Sequence, residues 1–129
     1  LPIVAEDLGV ITEEVRRLRR KYGLSGMSVL QFAFDHFEDN PHKPVNITED
    51  SIAYTGTHDN DTCIGWFNGL EPHQRDFVFQ VLGVEPTDEI APLMIRTAMQ
   101  TRAWLAVAPL QDYLGLDRVQ LVFGLDIPR

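Results

Sequence analysis

Short apolar runs alternate along this chain with stretches whose apolar residues recur at helical spacing. Leu1 to Ala5 is apolar without strict alternation, as a strand buried on both faces of a parallel sheet requires. Glu6 and Asp7 follow, and Gly9 allows a tight exit. Thr12 is a good N-cap, Glu13 and Glu14 fall in the first turn, and Val15, Leu18 and Tyr22 form one stripe. Gly23 is placed to end that helix. Met27 to Phe32 reads as a second strand, and residues 33–50 as a loop punctuated by Asn40-Pro41 and Lys43-Pro44. A loop of that length in a compact domain is expected to be functional, such as a lid. A third strand runs from Ile52 to Thr57, followed by a short helix over Cys63–Phe67 that Asn68-Gly69 closes. Pro72 to Leu82 is helical, with Phe77, Val81 and Phe79 inward and Gly83 as the stop. A further helix runs from near Glu89 to about Arg102, with Met94, Ile95, Ala98 and Met99 inward. Leu105 to Pro109 is the fourth strand, leading to Gln111, Asp112 and a turn at Gly115.

The order β-α-β-loop-β-α-α-β argues for an α/β fold of parallel strands joined by right-handed crossovers. Polar, chemistry-bearing residues follow the strands, where α/β folds place their sites. The pattern fits half of a (β/α)8 barrel or one side of a doubly wound sheet, and does not choose between them. With 129 residues and 44% hydrophobic content, the chain can bury a core as one domain or part of one. A net charge of −8 argues against nucleic acid or an anionic membrane as partner. The basic cluster Arg16, Arg17, Arg19, Arg20 and Lys21 is expected to complement the helix dipole. One cysteine, Cys63, excludes an internal disulfide, fits a reducing compartment and reads as a small buried residue. No run reaches the roughly 18 apolar residues of a membrane span.

The chemistry centres on two strand ends. Glu6, directly after an apolar strand, is expected to be partly desolvated, which favours the protonated acid near neutral pH. His58 and Asp59 offer a neutral donor beside a carboxylate, suited to gripping neighbouring hydroxyls of a sugar ring. Two separated carboxyl groups, one protonated and one ionised, are the working parts of glycosidic-bond cleavage. An acid after a strand is also a common N-cap. The rival chemistry is a divalent cation held by His58, Asp59 and Asp61, with Glu6 and Asp7 nearby, in a metal-dependent hydrolase. His36, His42 and His73 read as solvent residues.

Four motifs go further. Ile3-Val-Ala-Glu-Asp-Leu-Gly-Val-Ile-Thr12, Gly26-Met-Ser-Val-Leu-Gln-Phe-Ala-Phe34, Tyr54-Thr-Gly-Thr-His-Asp-Asn-Asp-Thr62 and Pro109-Leu-Gln-Asp112 occur in this order. Together they resemble the 4-α-glucanotransferases, the amylomaltases or disproportionating enzymes of glycoside hydrolase family 77. The resemblance implies a (β/α)8 barrel of which this chain is the C-terminal half, about strands five to eight, so that residues 1–129 form a partial catalytic domain without its N-terminal half. It implies transfer of α-1,4-glucan segments to an acceptor 4-hydroxyl by a retaining double displacement, with no metal and no organic cofactor. Glu6 falls on the general acid/base. His58 and Asp59 fall on the pair that holds the donor sugar and stabilises the transition state, and Asp7 on a supporting position beside the substrate. The partners implied are maltooligosaccharides and α-1,4-glucans, in a bacterial cytoplasm or a plastid stroma.

Two departures accompany the resemblance. The family's nucleophile is an aspartate in an Arg-x-Asp-His-Phe motif upstream of the Glu motif, and these 129 residues contain no such stretch ahead of Glu6. Asp35, in Phe34-Asp-His-Phe37, imitates that motif but follows Glu6 and lacks the arginine, so it is not expected to be the nucleophile. Residues 117–129 do not match the family's usual continuation, and no site residue is carried into them. The missing nucleophile leaves a non-catalytic glucan-binding remnant as a further alternative. Half a barrel is also expected to leave two open strand edges, at Leu1 to Ala5 and Leu105 to Pro109. These 129 residues alone are therefore expected to lack transferase activity and to need the missing half, or another chain, to cover them.

Overall fold

Three parallel strands in chain order carry the architecture: β1 (Gly26–Val29), β2 (Ser51–Tyr54) and β3 (Leu105–Val107). The structure is a computed structural model and describes residues 3–117. The non-matching tail from 118 onward, and the first two residues of the expected first strand, lie outside the described residues. Among the described residues that first strand is one parallel bridge between Val4 and Ser25, with Ala5 N–H donating to Ser25 O at 2.8 Å. The described sheet therefore follows chain order, with Val4 beyond β1 and no reversal of direction along it.

Register explains how the sheet is packed. Met27, Ile52 and Leu105 stand in one row and Val29, Tyr54 and Val107 in another, all bulky. The alternate rows, Gly26–Ser51 and Ser28–Ala53–Ala106, are small. Because successive side chains point to opposite faces, one face of the sheet is bulky and the other nearly bare. The bare face admits helices closely, and α4 (Ile90–Gln100) packs over β2 and β3 there. It also meets α2 (Cys63–Asn68) and the short α5 (Leu110–Tyr113). Ala53, Met94, Ala98, Cys63 and, from α3 (Pro72–Leu82), Val78 and Phe79 share one buried cluster.

Several expected faces are corrected. In α1 (Glu13–Lys21) and its cap, Val15, Leu18 and Tyr22 are exposed, because α1 contributes nothing to the core among the described residues. In α3 the fully buried residue is Val78, while Phe77 and Val81 are only half-buried. Met99 lies on the outer face of α4 and is exposed. Gly23 and Gly83, both left-handed, end α1 and α3 where expected.

Residues 33–50 are not a free lid. After β1 a 3₁₀ turn (Leu30–Phe32) leads into a segment whose Ile47 belongs to the same core cluster. The segment contains no helix or strand, so its backbone groups are satisfied by local turn bonds and by side chains. Asn40 Nδ2 donates to Phe32 O at 2.8 Å, and Asn46 Nδ2 donates to Glu38 O and Asn40 O at 2.7 and 2.8 Å. Ser28 Oγ donates to Pro41 O at 3.2 Å.

The same economy closes the edge of β1. Past the Val4 bridge, Met27 N–H donates to Asp7 Oδ1 at 2.7 Å and Val29 N–H to His42 Nδ1 at 3.1 Å. Two side chains thus occupy donors of β1 that a longer first strand would take.

Candidate active site

A cleft of about 300 Å³ lies on the bulky face, at the carboxyl ends of the strands. Met27, Tyr54 and Val107 contribute its floor, and Glu6, His58 and Asp59 reach it from two different strand ends. Burial holds the Tyr54 phenol above its ordinary value, so it stays a neutral hydroxyl. The sequence pattern by itself gives Tyr54 no part in the site. Its register beside Val29 and Val107 is the signal that places it there.

Glu6 and Asp7, adjacent in sequence, have opposite surroundings. Glu6 is exposed, so this chain's own residues do not supply the desolvation expected of it. Asp7 does not line the cleft. Besides the bond from Met27, its Oδ2 lies 3.4 Å from Arg19 Nε, with side chains 18% and 15% exposed respectively. Arg19 also donates to Leu24 O (3.3 Å), Asp50 O (3.1 Å) and Asp50 Oδ2 (3.0 Å). Arg19 is therefore a structural tie, whereas Arg20 and Arg17 pair along α1 with Glu13 and Glu14. Asp7 fixes the backbone next to Glu6 from behind.

The second strand end is a turn over residues 55–62. His58 and Asp59 stand at its tip with side chains 86% and 77% exposed, and His58 Nε2 is 3.3 Å from Asp59 Oδ1. The tip is shaped locally. Thr57 N–H donates to Asn60 Oδ1 (2.9 Å), Asn60 N–H to Thr57 O (3.0 Å) and Asp59 N–H to Thr57 Oγ1 (3.3 Å). Gln31, buried, donates from Nε2 to Asp61 O at 2.9 Å. Thr62 then caps α2, accepting from Gly65 N–H at 3.1 Å.

The other polar candidates sort themselves by contact. Asp61 Oδ1 accepts from Thr62 N–H at 2.9 Å, and Asp61 does not line the cleft with His58 and Asp59. Among the described residues no three His, Cys, Asp or Glu side chains are grouped so as to hold a metal ion. Asp35 accepts from Phe37 N–H at 3.1 Å and lies 3.8 Å from Lys43 Nζ, which makes it a turn-former away from the cleft. His42 is not a solvent residue. It is half-buried, accepts the Val29 N–H and meets Phe32 edge-on at 5.5 Å. Burial keeps it neutral by lowering its value, outweighing the pull of Asp7 and Asp35 toward the charged form. Cys63 is fully buried, and burial together with Asp112 pushes its thiol far up. No helix among the described residues is long and apolar enough to cross a membrane.

Comparison with known proteins bears on the family of the chain. A family model described as 4-alpha-glucanotransferase matches residues 1–121. The 4-alpha-glucanotransferase of Synechocystis sp. is 49% identical over 117 residues, covering 90% of this chain and 23% of its own length. The chloroplastic/amyloplastic 4-alpha-glucanotransferase DPE1 of Arabidopsis thaliana is 44% identical over 116 residues, covering 90% of this chain and 20% of its own. The solved amylomaltase from Streptococcus agalactiae in complex with acarbose superposes with a TM-score of 0.83 at 36% identity, over 91% of this chain and 24% of that one. The chain thus spans about a fifth to a quarter of the length of the relatives it matches. With four motifs in order, a parallel α/β sheet and one cleft that collects Glu6, His58 and Asp59, the chain belongs to the 4-alpha-glucanotransferase family.

Proposed function

We propose that these residues form part of the (β/α)8 barrel of a 4-α-glucanotransferase, about strands five to eight, and supply its acid/base and its transition-state-stabilising groups. The strands support the barrel reading, since consecutive barrel strands run parallel and lie side by side in chain order, as these do. The bulky face supports it too, since barrel interiors are filled by bulky side chains in layers. In the reaction, Glu6 protonates the leaving glucosyl oxygen and later removes the proton from the acceptor's 4-hydroxyl. His58 and Asp59 hold the donor ring, and the Asp59 carboxylate faces the positive charge that develops there. The nucleophile of the double displacement comes from outside these 129 residues. Amylomaltase bound to acarbose, a relative's complex, supports a maltooligosaccharide as the ligand.

The carrying observation is that Glu6 and the His58–Asp59 pair, more than fifty positions apart, line the same cleft. The test uses the full-length polypeptide that bears this chain, with maltotriose as donor and acceptor. Glu6→Gln should reduce transfer by roughly 10²–10⁴-fold, the usual range for a general acid/base, while the unfolding midpoint stays near wild type because Glu6 is exposed. Transfer within a few-fold of wild type would remove the proposal. Saccharide binding without transfer in both proteins would favour the non-catalytic remnant.

A further inference from the structure

The turn that bears His58 and Asp59 is held at its base by a residue outside it. Asp112, in α5 just past β3, is 2% exposed. Its Oδ2 accepts from Thr55 Oγ1 at 2.7 Å, and its Oδ1 accepts from Cys63 N–H at 2.8 Å. Thr55 directly follows β2 and Cys63 opens α2, so one carboxylate bridges the two feet of the turn. Cys63 Sγ adds a third contact to Oδ2, at 3.2 Å. A buried carboxylate is costly unless its oxygens are satisfied, and here three donors converge on it. The group does not line the cleft and is fully engaged inside the protein, so it has no direct role toward substrate.

We propose that Asp112 is a positioning residue for transfer: it fixes the spacing between Thr55 and Cys63 and thereby sets where His58 and Asp59 stand in the cleft. The tip beyond that base is exposed and is shaped by short contacts among Thr57, Asp59 and Asn60 and by His58 Nε2 against Asp59 Oδ1. Its direction is therefore set from below. Gln31 steadies one further point, the Asp61 carbonyl, from the β1 side. This rests on the reading of Asp59 as the transition-state-stabilising carboxylate.

The experiment avoids truncating Asp112, which would strand buried donors and risk unfolding. In the full-length enzyme, Thr55→Val removes one arm of the clamp and keeps the shape, Thr55→Ser retains the hydroxyl, and Asp59→Asn is the reference. Transfer from maltotriose is measured as kcat and KM, with active sites counted by trapping the glycosyl-enzyme with a 5-fluoroglucosyl fluoride. Thr55→Val should lose about tenfold or more in kcat per trapped site, as misplacement by a fraction of an ångström does, with KM within about threefold. Thr55→Ser should restore it. A fall in thermal midpoint with kcat per site unchanged would overturn the clamp, leaving Asp112 a purely structural residue. An active Asp59→Asn would overturn the reading of Asp59 and the clamp with it. An inactive Asp59→Asn beside an unaffected Thr55→Val would overturn the clamp alone.

Discussion

Gly26 opens β1 with an ordinary backbone conformation, so replacing it probes space rather than φ. A Cβ there would stand 2.6 Å from Asp7 Oδ2, 3.0 Å from Asp7 Oδ1 and 2.8 Å from Arg19 Nη1. The Asp7 carboxylate cannot yield freely, because it accepts the Met27 N–H at 2.7 Å and faces Arg19 Nε at 3.4 Å. Displacing it forfeits a hydrogen bond to a charged acceptor, about 1.5–3 kcal/mol. Replacing a strand glycine by alanine returns about 0.5–1 kcal/mol through the unfolded chain. Gly26→Ala should therefore destabilise by about 0.5–2.5 kcal/mol. In an Asp7→Ala background the two carboxylate contacts are gone while Arg19 Nη1, held by Leu24 O and Asp50 O, still stands 2.8 Å away, so the same change should cost less than in wild type. The four proteins are compared by urea denaturation as a double-mutant cycle, with an expected coupling of about 1.5–3 kcal/mol from that hydrogen bond. An equal cost of Gly26→Ala in both backgrounds would refute the reasoning, since the glycine would then be serving something other than Asp7.

Met94 is fully buried between the bare face of the sheet and the helices, so Met94→Ala should cost about 2–5 kcal/mol in the same assay. A cost under about 1 kcal/mol would mean the site collapses around the gap. His42 gives a pH dependence of definite sign. Its folded value is lowered, so the unfolded chain binds the proton first as pH falls. Its contribution is complete above about pH 7, declines through the ordinary histidine value of about 6.5 and levels off below the depressed folded value. Thermal midpoints from about pH 7.5 to about pH 5 should fall more steeply for wild type than for His42→Gln. Parallel curves would show that His42 does not titrate against folding.

Local signals carried the elements because each is written within a few residues. The caps Thr12 and Thr62 and the stops Gly23 and Gly83 sit beside the helices they bound. The acids after two apolar runs stand out because a strand's direction delivers the next residues to one rim. The two faces of the sheet were not legible in the same way. Four-residue strands such as Gly26-Met-Ser-Val29 and Ser51-Ile-Ala-Tyr54 alternate small with bulky rather than polar with apolar. Judged by polarity they form one continuous buried run, although residue volume records the period. The polar residues diverge for a different reason. Glu6 and Asp7 have similar chemistry and adjacent positions, yet Asp7 is engaged because Met27, twenty positions on, presents an N–H that the shortened first strand leaves unpaired. His42 departs from expectation in the same way, its partner being Val29 thirteen positions earlier. Asp112 meets Thr55 across 57 positions. Each of these groups is engaged inside the protein because a strand end, sheet edge or helix start offers a donor that must be satisfied. That demand exists only after the sheet has assembled, so residue type alone could not separate the polar residues that hold the site from those exposed to the cleft.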